Sequence, residues 1–179
     1  DNIDYLSRAK FWIMEGTFIT VSIFKQLYSI HAPVEDSNSK ILPLFYALMT
    51  NTSQETYIQL YDKLNEIAYR EGINLKPHLV ITNFEMATIK AVESVFNVQS
   101  KGCFFHLGQS IYKKIQNLKL ASVYDDADFS IELRQILALA FLRPLEISQA
   151  FDDLKTQIPN EATDLMKWFE EKCVHGIVP

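Results

Sequence analysis

Phe11-Trp12-Ile13-Met14-Glu15-Gly16-Thr17-Phe18 is an almost wholly apolar run of aromatic and branched residues with one carboxylate inside it. Such a run predicts a strand buried on both faces. A lone acid in a buried strand is costly unless it is paired or holds a metal. Glu15 is therefore either an acid solvated at the edge of the core or a carboxylate set at the end of a central strand to hold a divalent cation.

The rest of the chain supplies the sheet. Asp1 to Lys10 reads as a polar lead-in. Phe24 to Ala32 alternates as a strand does, Pro33 to Lys40 carries turn chemistry, and Ile41 to Met49 is a third strand with Pro43 near its start. Short connections make these three an antiparallel meander. The period then changes. Ser53 is set to cap a helix with Leu60, Leu64, Ile67 and Ala68 at helical spacing, ending at Gly72. A short strand over 77–82 leads to Asn83-Phe84-Glu85, a helix over 86–96, a strand from Val98 to Phe105 passing through Cys103 and reaching His106, and a helix from about Leu107 to Leu118. Strands joined through helices are parallel in one sheet. The expected class is α/β: a mixed sheet of three antiparallel strands extended by parallel βαβ additions. From Asp125 onward the pattern is all helical, over 129–140, 144–158 and 161–175, with Asp125, Asp126 and Asp128 as a hinge. Two regions are expected, 1–120 and 121–179.

Charge and cysteine content narrow the function classes. The chain has 179 residues and a net charge of −5, so as a whole it is not built for polyanions. Residues 76–120 are the exception, with six lysines (Lys76, Lys90, Lys101, Lys113, Lys114, Lys119) against Glu85 and Glu93. Residues 121–179 carry five basic and eleven acidic residues and would repel a phosphate backbone. Two cysteines, Cys103 and Cys173, are too few for a disulfide framework and suit a reducing, intracellular setting. No stretch approaches the roughly 18 apolar residues of a membrane span. Beginning at Asp1, the chain reads as a piece of a longer one.

In open sheets of this kind ligands sit beyond the carboxyl ends of the strands. That edge would present Glu15 from the first strand and Asn83 from the fourth, with Glu85 close by in a position that suits a helix dipole. Trp12-Ile13-Met14-Glu15-Gly16-Thr17-Phe18, Gln26-Leu27-Tyr28-Ser29-Ile30-His31, Leu42-Pro43-Leu44-Phe45-Tyr46-Ala47-Leu48-Met49, Ile81-Thr82-Asn83-Phe84-Glu85 and Lys101-Gly102-Cys103-Phe104-Phe105-His106-Leu107 lie in that order. Together they resemble the transposase domain of Mutator-like elements, as does Ala138-Leu139-Ala140-Phe141 with the helix through Ala150-Phe151. The resemblance implies a ribonuclease H-like fold with a helical insertion, a nuclear or other intracellular setting, DNA as partner, and a DDE mechanism. In that mechanism three acids bind Mg²⁺ while water, and then a freed 3′-hydroxyl, attacks the DNA backbone.

Three departures from the family pattern fall on those acids. The first family aspartate is Glu15 here, one methylene longer, where catalytic geometry tolerates about 0.5 Å. The second aligns with Asn83, whose amide keeps an oxygen but lacks the charge that favours a hard dication. The third, a glutamate beyond the insertion, has no identified counterpart before Pro179. Glu161, Asp164, Glu170 and Glu171 are spaced as a solvated helix face. The expectation is a degenerate, inactive site with weak or absent Mg²⁺ binding, either in a decaying element fragment or in a domesticated module that binds DNA or protein. A live nuclease gathering one metal through Glu15, Glu85 and a later acid, and a protein-binding scaffold using the acidic tail, are the alternatives. Lys101, Lys113, Lys114 and Lys119 are the candidate DNA-facing residues, although Lys113 and Lys114 equally suit the wet face of a helix that buries Ile111, Ile115 and Leu118. Cys103 and His106 match a Cys/His pair of the family, and adding Cys173 and His175 would draw a four-ligand zinc site whose spacing fits no common motif. His31 and His78 read as lone histidines, packed or solvent-facing.

Overall fold

A computed structural model of the chain describes residues 1–18, 23–34, 40–120 and 127–175. The turn expected over 33–40 and the hinge at Asp125 and Asp126 lie largely outside them. The described residues form two compact units that divide after Cys103.

The first unit is a five-stranded mixed sheet in the order β3-β2-β1-β4-β5. β1 (Phe11–Phe18), β2 (Gln26–Pro33) and β3 (Ile41–Met49) are antiparallel neighbours. β4 (Leu79–Thr82) joins β1 in parallel, and β5 (Ser100–Gly102) joins β4 in parallel. The central position of β1 follows from its apolar run, and the mixed α/β sheet is the one expected from the sequence. Helix α2 (Gln54–Arg70) begins where Ser53 accepts a hydrogen bond from the Thr56 N–H at 3.3 Å. It buries Tyr57, Tyr61, Leu64 and Ala68, spaced four, three and four residues apart along one stripe. α3 (Met86–Phe96) buries Thr88, Ile89, Ala91 and Val92. Both helices share a core with Trp12, Met14, Tyr28, Ile30 and Val80 of the sheet.

Three local expectations change. The polar lead-in is a helix, α1 (Asn2–Arg8), capped by the Asp1 side chain, with Ile3 and Leu6 buried. Two apolar residues three apart suffice, because the Leu6 carbonyl also accepts the Trp12 Nε1–H at 2.9 Å. β1 is buried on one face only: Trp12 and Met14 are covered, whereas Phe11, Ile13 and Glu15 on the other face are half-buried. The last strand is shorter than expected. It stops at Gly102, where the ring of Phe84 leaves no room for a side chain (a Cβ would lie 2.5 Å from Phe84 Cε1).

The second unit starts with α4 (Phe104–Asn117), followed by α5 (Ala127–Ala138), α6 (Pro144–Lys155) and α7 (Thr163–Phe169). Three-residue 3₁₀ turns precede α6 and α7, and a π-helical turn over Glu170–Val174 follows. Ile111 and Ile115 of α4 share a core with Ile136, Phe151, Leu154, Leu165, Met166 and Phe169. Pro144 opens α6, where its missing N–H costs nothing. The Glu146 carboxylate reaches back to the Arg143 N–H at 3.2 Å.

Candidate functional site

Strand register assembles the site. β1 and β4 run parallel with Ile13 beside Ile81 and Met14 beside Thr82. The paired register ends there; Glu15 is the next residue along β1, and Asn83 is the first residue past the end of β4. On the other side of β1, Glu15 faces Ser29 of β2. Ser29 Oγ donates to the Glu15 carbonyl at 3.4 Å and lies 2.9 Å from His31 Nε2. β1 and β2 thus present Glu15, Ser29 and His31 on one face. His31, expected as an isolated ring, is tied by its hydrogen bond to the row that Glu15 occupies.

The amide of Asn83 is already engaged. Its Oδ1 accepts the Glu85 N–H at 3.2 Å, an Asx turn that leads into α3. Glu85 is the N-cap residue of that helix but makes no side-chain capping bond. Its Oε2 instead accepts from the Tyr57 hydroxyl at 3.1 Å. The same hydroxyl lies 2.8 Å from Gln26 Oε1. Tyr57 and Gln26 are wholly buried, and burial, with Glu85 adding to it, pushes the Tyr57 phenol up to about 12; the Thr88 hydroxyl beside it pulls the other way. Tyr28 and Tyr61 pair through their hydroxyls at 2.6 Å in the same core, and burial raises both phenols well above their ordinary value. Gln26 explains Gly16: a Cβ on residue 16 would lie 1.7 Å from Gln26 Nε2, and the glutamine has no open space to move into. Gln26, Tyr57 and Thr88 were not singled out by sequence reasoning, since 28 to 31 residues separate the bonded pairs and no local motif joins them.

Glu85, on the helix side of the sheet, does not join Glu15 in a carboxylate cluster. Among the described residues no group of three or more His, Cys, Asp and Glu side chains is placed to hold a metal. Glu161, Asp164 and Glu171 are exposed, and Glu170 accepts from Lys155 Nζ at 2.9 and 3.0 Å. Cys103 sits between β5 and α4 with its N–H donating to the Thr82 carbonyl at 2.9 Å. His106 belongs to the first turn of α4 rather than to a strand end, because the helix begins at Phe104, three residues earlier than expected. In the second unit burial raises the Cys173 thiol to about 11, so it is a poor thiolate at neutral pH.

The four candidate DNA-facing lysines are placed as follows. Lys101, on β5, is exposed and reaches Gln99 Oε1 at 3.1 Å. Lys113 is exposed on α4, Lys114 lies half-buried over the Trp168 ring at 5.9 Å, and Lys119 is exposed just past the helix. Ile111 and Ile115 are buried on the opposite stripe, so α4 has the amphipathic character expected for it. Among the described residues no helix is long and apolar enough to cross a membrane.

No curated protein matches the chain. Residues 11–110, from the first residue of β1 to the middle of α4 and more than half of the sequence, match the model of the MULE transposase domain, and the chain belongs to that family.

Proposed function

We propose that this is a transposase-derived domain of ribonuclease H-like fold, whose DDE site no longer cuts DNA and which serves in binding. The reading takes residues 1–120 as the ribonuclease H-like core and 121–179 as the start of a helical insertion, in a protein that acts on DNA in the nucleus. One observation supports it: of the two positions aligned with the family's first acids, Glu15 on β1 is a carboxylate and Asn83 just past β4 is a neutral amide whose oxygen already accepts the Glu85 N–H. Magnesium demands hard, charged oxygen ligands in near-ideal geometry. This donor set does not fit the ion as the family uses it.

Measuring Mg²⁺ and Mn²⁺ affinity alongside nicking of supercoiled DNA tests the reading. We expect no metal-dependent nicking from the wild-type chain. Nicking that Glu15→Gln abolishes would overturn the proposal. The double variant Glu15→Asp/Asn83→Asp is expected to raise Mn²⁺ affinity by about tenfold or more, the scale on which even outer-sphere partners of a metal act, without restoring cleavage. DNA retention through Lys101, Lys113, Lys114 and Lys119 predicts binding that weakens steeply with salt. A binding curve flat in salt points instead to a protein partner.

A further inference from the structure

Two acceptors compete for the Tyr57 phenolic proton. Gln26 Oε1 lies at 2.8 Å and Glu85 Oε2 at 3.1 Å. Gln26 has no freedom to leave: it is wholly buried, it fills the space above Gly16, and its Nε2 has no acceptor among the described residues. A buried amide left half-satisfied is costly, so its place in the fold is set by what it holds. It anchors the phenol from the β2 side, and the phenol extends to the only part of α3's entry that carries charge. From Glu85 the connection continues through one residue's backbone, because the Glu85 N–H is the donor to Asn83 Oδ1 at 3.2 Å. The chain of contacts thus runs from β1 (Gly16) through β2 (Gln26) and α2 (Tyr57) to the 83–85 turn that follows β4.

We infer that Tyr57 is a positioning residue: its one proton, shared between Gln26 Oε1 and Glu85 Oε2, ties the Glu85 carboxylate to the core and thereby fixes the 83–85 turn, so that the side chain at position 83 keeps its place past the end of β4 whatever its charge. The inference rests on the reading that positions 15 and 83 mark the family's first two acids. It adds that the scaffold around them outlasts the acids themselves. Tyr57 is not a catalytic residue, since it touches neither of the two positions directly.

The test needs neither metal nor DNA, so its failure is separate from any failure of the inactive-site proposal. In the full chain, the Glu85 amide exchange rate and the Asn83 side-chain NH₂ resonances are followed by NMR in Tyr57→Phe, Glu85→Ala, Glu85→Gln and, as a control for general destabilisation, Ile30→Val. Tyr57→Phe is expected to speed Glu85 amide exchange by about tenfold, as loss of a hydrogen bond to a charged group implies, and to shift the Asn83 NH₂ pair toward random-coil values. Glu85→Ala breaks the same connection from a half-buried position and is expected to repeat both changes even if Tyr57→Phe folds poorly. Glu85→Gln keeps an acceptor and is expected to stay close to wild type. Unchanged exchange and resonances in both Tyr57→Phe and Glu85→Ala, or equal changes in Ile30→Val, would overturn the inference.

Discussion

The two faces of the sheet are built on different terms. Toward α2 and α3 it presents Trp12, Met14, Tyr28, Ile30 and Val80, none more than 1% exposed. The opposite face carries Ile13, Glu15, Leu27, Ser29, His31 and Ile81, mostly half-buried, and runs out on β3 to Tyr46 and Leu48, 57% and 54% exposed. The first face spends its polar groups on one another, through the Gln26–Tyr57–Glu85 connection and the Tyr28–Tyr61 pair. The second holds Glu15, at the position proposed to align with the family's first acid. Register couples the faces, because Glu15 and Gly16 are neighbours on β1 and point to opposite sides. The packed face therefore helps decide how well the opposite face is held.

That contrast can be broken by experiment, with the largest effect expected on the packed face. Trp12→Ala removes a fully buried indole that donates to the Leu6 carbonyl and meets Phe96 edge-on at 5.2 Å. It is expected to cost about 3–5 kcal/mol in chemical denaturation. Alkali comes next. Tyr57 ionises near 12 in the folded chain against an ordinary value of 10, and Tyr28 and Tyr61 are raised as well. A raised phenol pKa means that the folded state keeps its proton longer, so the stabilisation is complete below pH 10 and is lost as pH climbs toward 12 and beyond. A denaturation series over that range should fall, with tyrosinate absorbance rising at unfolding, and Tyr57→Phe should flatten part of the slope. Gly16→Ala drives a methyl into the Gln26 side chain and is expected to cost about 1–3 kcal/mol, partly relieved by adding Gln26→Ala. On the other face, Ser29→Ala loses the bond to His31 and should cost about 1 kcal/mol or less. Tyr46→Ser should stay within about 0.5 kcal/mol. A cost at Ser29 or Tyr46 that rivals Trp12→Ala would abolish the distinction between the faces.

Much of this fold was legible because it is written locally. The β1 run, the Ser53 cap and the four-three-four stripe of α2 each announce an element within a dozen residues, and the helix–strand alternation forces the parallel half of the sheet. The parallel pairing of β1 with β4 also followed, since a helix connection makes them parallel. Burial of β1 on both faces did not hold, because an apolar run states what a strand tolerates rather than how many layers cover it. The α1 helix was hidden by its polar composition, and the start of α4 by an apolar Cys103-Phe104-Phe105 that suits either a strand or a helix. The hydrogen bonds around Tyr57 had no sequence signal at all, since a glutamine, a tyrosine and a glutamate this far apart meet only through tertiary packing.

β3 ends the sheet on one side, nine residues long and rich in apolar side chains. An unpaired margin of that kind invites strands from other molecules to stack on it. Two details of this chain oppose that: Pro43 offers no N–H, and the Asn2 side-chain amide donates to the Leu44 carbonyl at 3.0 Å. The short opening helix thus occupies one acceptor of that rim that an incoming strand would need.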